Sequence, residues 1–131
     1  MNSFLLTFYY YAIAIAVVVI GLVIFELMTK KYKDWEEIKG RNTAVALSIG
    51  GKIIGICIIL MFSIFHNDTI IETVYWGLFG MVLQLVAYVL FEIFSRTFSV
   101  EEQLKEGNIA VGIISFSVSV GLAFVIGASI S

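Results

Sequence analysis

The sequence predicts an all-α integral membrane protein, with four transmembrane helices assembled from two parallel two-helix repeats. Three observations carry this. First, 60% of the 131 residues are hydrophobic and 14% are charged, against about 45–50% and about 25% in soluble domains. Second, residues 1–25, 73–91 and 107–131 hold no charged side chain, and 42–65 holds only Lys52. About 20 such residues suffice for a helix to cross the hydrocarbon core. Third, the chain aligns with itself at an offset of 66 residues without a gap.

The first span covers 4–28. It lacks a basic flank at its start, and its apolar run exceeds the roughly 7–15 residues of a signal-peptide core, so it reads as a mature helix. The loop 29–42 follows. In it, Asp34 and Glu37 fit an N-cap with an acidic third position, and Gly40 is placed to stop a short helix. The second span is 43–65 and the third is 72–94. In the loop 95–107, Ser99 and Glu102 form the Ser-x-x-Glu capping box of another short helix, which Gly107 ends. The fourth span is 108–130. Strands fit poorly, since barrel strands are about 10 residues long and alternate strictly. The chain has no proline, and so lacks the commonest cause of a helix kink.

Orientation follows from the cations. Lys30, Lys31, Lys33, Lys39 and Arg41 lie in the first loop, Arg96 and Lys105 in the third, and none at the termini or in the middle turn. The positive-inside rule then makes loops 29–42 and 95–107 cytoplasmic and both termini extracytoplasmic, in a multi-pass protein of the cell (plasma or inner) membrane. Tyr9, Tyr10, Tyr11, Tyr75 and Trp76 would mark the outer interface, and Tyr32 and Trp35 the inner one.

The repeat pairs residues 1–65 with 67–131. Phe25-Glu26 falls on Phe91-Glu92, Glu36 on Glu102, Lys39 on Lys105, Asn42 on Asn108, Ala44-Val45 on Ala110-Val111 and Gly55 on Gly121. Each copy holds two spans, so both copies enter the membrane from the same side. Phe25-Glu26-Leu27 with Asn42-Thr43-Ala44-Val45-Ala46, repeated as Phe91-Glu92-Ile93 with Asn108-Ile109-Ala110-Val111-Gly112, resembles the bacterial membrane family of unknown function 350 in two tandem copies. The resemblance implies a small multi-pass membrane protein and carries no catalytic residues.

The candidate intramembrane polar site is Lys52, Glu26, Glu92 and Gln84. Lys52 lies about 15 Å along its helix from Asn42, near mid-bilayer, where a lysine costs about 2.5–3.5 kcal/mol. Its ammonium leans back toward the helix start, to nearly the depth of the Glu26 and Glu92 carboxylates. An ion pair with either acid offsets much of that cost, and adjacency of sequential helices favours Glu26. Gln84 fits an interhelical hydrogen bond or a polar cavity lining. Asn42 and Asn108 fit helix caps. Gly51 and Gly55, with Ser117 and Gly121 at the repeat positions, predict a packing seam between the second and fourth spans.

No phosphate loop, catalytic triad or metal-ligand cluster is present, and His66 is the one histidine. The reading is therefore not an enzyme, with no catalytic residue, no metal and no cofactor. The partner is the lipid bilayer rather than nucleic acid, and assembly with itself or other membrane proteins stays open. Two functions compete. One is a structural or interaction component of a cell-envelope complex. The other is a small transporter or channel subunit using Lys52, Glu26 and Glu92.

Overall fold

The computed structural model describes residues 3–29, 33–94 and 99–130. Lys30, Lys31, Tyr32 and Arg96, used above for orientation, lie outside the described residues. Six helices follow in order: α1 Ser3–Met28, α2 Asp34–Lys39, α3 Thr43–His66, α4 Ile70–Phe94, α5 Val100–Lys105 and α6 Ile109–Ile130. Among the described residues there is no strand. Four of the helices (α1, α3, α4 and α6) are long and apolar enough to cross a membrane.

Helix α3 is the hub. It packs along α6 and also touches α4, α1, α2 and α5. Half of its membrane window is buried, against about a fifth for the other spans. Helices α3 and α6 run parallel, because their contacts climb together in both numberings. Ala44 meets Gly112, Ser115 Oγ donates to Ser48 Oγ at 3.2 Å, and Gly51 meets Phe116. Further along, Gly55 meets Ser119, and Gly127 lies against the Phe62 ring. A Cβ on Gly51 would stand 2.8 Å from Phe116 Cα, and one on Gly112 would stand 2.9 Å from Ala44 Cα. The two backbones are therefore in contact, as small residues permit in a membrane interior that offers no hydrophobic drive between helices.

The face that α6 presents differs from the expected one. Gly112, Ser115, Ser119, Ala123 and Gly127 line the seam, while Ser117 is exposed and a Cβ on Gly121 would meet nothing within 4 Å. Two residues of offset turn a helix by about 200°, so carrying Gly51 and Gly55 across by repeat register selects the opposite side of α6.

The short helices α2 and α5 cover the end where α3 and α6 begin. Val100 and Leu104 of α5 join Ala44, Val45 and Ile49 of α3 in one apolar cluster, with Ile38 of α2 against it. Ser99 opens α5 by accepting from the Glu102 N–H. At α2 the N-cap is Lys33, which makes no side-chain cap bond, and Asp34 is the first helical residue. The side chain of Asp34 is buried instead.

Both short helices end the same way. Arg41 N–H donates to Ile38 O at 2.9 Å and Asn42 N–H to Glu37 O at 2.9 Å, while Gly107 N–H and Asn108 N–H reach Leu104 O and Gln103 O, each at 3.0 Å. This paired pattern needs a left-handed residue at its centre. Gly107 supplies it at φ 82°, but in the first loop Arg41 does so at φ 65° and Gly40 stays at φ −80°. A side chain in that region costs about 1–2 kcal/mol. Arg41→Gly is therefore expected to stabilise the protein by about 1 kcal/mol and Gly107→Ala to destabilise it by about as much. Denaturant titration in detergent micelles checks both signs.

Candidate functional site

The polar residues gather under α2 and α5, and Lys52 is their centre. It is 1% exposed, and its Nζ has no hydrogen-bond partner among the described residues. The ammonium lies 4.9 Å from the Phe25 ring centroid and 4.6 Å from that of Tyr88. Those rings stand edge to face at 5.6 Å, so α1 and α4 each present an aromatic π-system to one cation. Such contacts contribute about 2 kcal/mol or more when desolvated.

The carboxylates whose charge acts on Lys52 are Asp34, Glu101 and Glu92. Glu26, the expected first partner, is not among them; it acts on Asp34. Asp34 is 4% exposed, and its Oδ1 has no hydrogen-bond partner among the described residues. Burial pushes its carboxyl above the ordinary carboxylate range; Lys52 pulls it down, and Glu26 and Glu101 push it up. Glu92 accepts from Ser99 Oγ at 3.3 Å, and the first amides of α5, at Val100 and Glu101, point at the same carboxylate. The acid at the end of α4 therefore fixes the start of α5.

Gln84 lies deeper and is buried. Its Nε2 donates to Ser119 O at 2.9 Å, across the α4–α6 interface, while its Oε1 has no partner among the described residues. A small cavity lined by Phe25, Gln84, Tyr88, Ser115 and Ser119 lies beside it. Asn42 Oδ1 accepts from Val45 N–H, and its Nδ2 donates to Leu104 O at 2.8 Å and Lys105 O at 3.0 Å. It thus caps the start of α3 and the end of α5 together. Asn108 accepts from Val111 N–H and donates to Gln103 Oε1, a purely local arrangement.

A family profile described as Domain of Unknown Function (DUF350) matches residues 1–130. The chain belongs to this family. The DUF350 chain is 42% identical over 121 residues to the UPF0719 transmembrane protein YshE of Bacillus subtilis (strain 168), covering 92% of the chain and 90% of that relative. It is 29% identical over 112 residues to the UPF0719 inner membrane protein YjfL of Escherichia coli (strain K12), covering 86% and 83% respectively. No solved structure matches it. With four membrane-length apolar helices and relatives named as transmembrane and inner membrane proteins, this DUF350 chain is an integral membrane protein embedded in the bilayer.

Sequence reasoning passed over Tyr88, Phe25, Asp34 and Glu101 as members of the Lys52 site. One signal was available for Tyr88. It precedes Glu92 by four residues, on the same helix face, and a tyrosine within a span brings a polar tip that needs a neighbour. Phe25 precedes Glu26 in the repeated pair. For Asp34 and Glu101 the DUF350 sequence offers no comparable signal, because both come from loops whose return onto α3 only the fold determines.

Proposed function

We propose that the chain is a structural or interaction component of a cell-envelope complex, presenting a rigid end formed by α2 and α5. The observation that carries this reading is the backbone contact along α3 and α6 at Gly51, Gly55 and Gly112. A transporter needs a path between its central helices, and here they touch. A groove of about 420 Å³ opens sideways between α4 and α6, and its lining, including Leu83, Val86, Leu90, Leu122 and Val125, is apolar. It suits lipid chains rather than a hydrophilic solute. The two halves act as tandem copies in this reading, with the second lacking the lysine, since Val118 holds that place.

The expected result is twofold. In mild detergent extracts of native membranes the chain migrates well above its own 14.6 kDa, and in proteoliposomes it passes no protons, sodium or potassium beyond protein-free vesicles. A flux that vanishes with Lys52→Met would replace this reading with a small transporter or channel subunit using Lys52, Glu26 and Glu92. The cations of the two inner loops further support a cytoplasmic α2–α5 end. With Cys57 replaced, cysteines at Ser3 and Asn67 are expected to react with an impermeant thiol reagent on intact cells, and one at Lys33 is not. The reverse labelling would invert the protein.

A further inference from the structure

The polar cluster under α2 and α5 holds more acid than base. Lys52 of α3, Glu26 of α1 and Glu101 of α5 act on Asp34, and Glu92 of α4 faces the same lysine. Among the described residues that is one ammonium among four carboxyls. Asp34 Oδ1 and Lys52 Nζ are both buried, and neither has a hydrogen-bond partner among the described residues. An ionised carboxylate is an acceptor only and gains most from several donors. An oxygen with none, close to two other acids, is better occupied by a neutral carboxyl.

We propose that Asp34 is a proton-operated latch on α2: a proton on its carboxyl seats the helix on α3, and loss of that proton loosens it from the bundle. The lever is short. Helix α2 has six residues, too few to hold a helix in water without packing. Its inward groups are Asp34, which is buried, Ile38, which rests on the loop-end cluster, and half-buried Glu37, whose Oε1 accepts from Asn42 Nδ2 at 3.1 Å. When α2 lifts, Asp34 meets water and ionises as an ordinary aspartate does. The seated helix therefore holds the proton more tightly than the lifted one, and by linkage the proton favours seating. The raised carboxyl agrees in sign. The added seating is complete below the ordinary carboxylate range and fades as pH climbs through the raised value. The attraction of Lys52 narrows that window. Neither a solute path nor a partner enters this device, so it stands whether the chain is a scaffold or a transporter.

Hydrogen exchange on the full chain in lipid nanodiscs, from about pH 4 to about pH 8, reads the latch directly. Rates are corrected for intrinsic exchange, and the amides at the centre of α3 serve as the reference. Protection of residues 34–39 is expected to fall with rising pH, by up to about tenfold per pH unit within the window, while the reference stays flat. Asp34→Asn keeps α2 protected throughout, and Asp34→Glu retains a pH dependence. Protection of α2 that does not vary with pH, or varies equally in Asp34→Asn, overturns the proposal. Trp35, 59% exposed on α2, gives a second readout that leaves Asp34 intact. With Trp76→Phe its fluorescence anisotropy should drop as pH rises, and constant anisotropy across the window would equally overturn the latch.

Discussion

Leucine at Gly51 or Gly112 is expected to break the bundle, and leucine at Gly121 to leave it intact. At the first two sites the obstacle is backbone. The added Cβ alone would sit 2.8 Å from Phe116 Cα or 2.9 Å from Ala44 O, and backbone cannot rotate out of the way as a side chain can. The helices must separate, which breaks the Ser115–Ser48 bond and pulls Gln84 from Ser119. Overpacking costs about 1–3 kcal/mol where side chains can yield, so a loss of about 3 kcal/mol or more is expected here. At Gly121 the new side chain enters open space and meets lipid. Unfolding titrations in mixed micelles rank the three variants. Equal losses at Gly51 and Gly121 would place the seam elsewhere.

Lys52→Met is the second large expected effect. The substitution removes a buried charge, which by itself is favourable. It also strips Phe25 and Tyr88 of their cation and leaves Asp34, Glu92 and Glu101 with no base among them. Removing one member of a buried charge set costs about 3–5 kcal/mol, and at neutral pH this term is expected to win, for a net loss of about 3 kcal/mol. Glu92→Gln in the same chain should return at least about 1 kcal/mol, because it lowers the repulsion among the remaining acids. Glu26→Gln should return less, since Glu26 is not among the acids that act on Lys52. A double-mutant cycle separates the two couplings. Additivity of Lys52 with Glu92 would show that Glu92 does not help hold the lysine.

The spans could be read because length and uncharged runs are local quantities, and a bilayer selects on little else. Ser99 could be read as a cap because its partner lies three residues away. What escaped depends on rotation and on return. The seam face of α6 sits two residues from the repeat-derived one, since a repeat fixes correspondence along the chain and not the angle at which two helices meet. Lys52 stood out by its cost in lipid, and depth arithmetic brought carboxylates near its level. Lateral neighbours are absent from such arithmetic, so it pointed to Glu26 of the preceding helix. In the fold the charge of Glu26 acts on Asp34, and Glu92, the other acid expected from depth, acts on the lysine together with Asp34 and Glu101. Arg41 gives the converse lesson. A glycine was available next door at Gly40, and the turn still places its left-handed residue one position later.

The hub position of α3 imposes an order on biogenesis. Lys52 leaves the ribosome well before Tyr88, Glu92 and Glu101, three of the groups that surround it in the finished protein. A nascent chain holding only α1, α2 and α3 therefore offers the ammonium Phe25 and Asp34, with lipid or water where α4 and α5 will later lie. The first hairpin therefore carries a charge whose shelter is encoded in the second half of the chain.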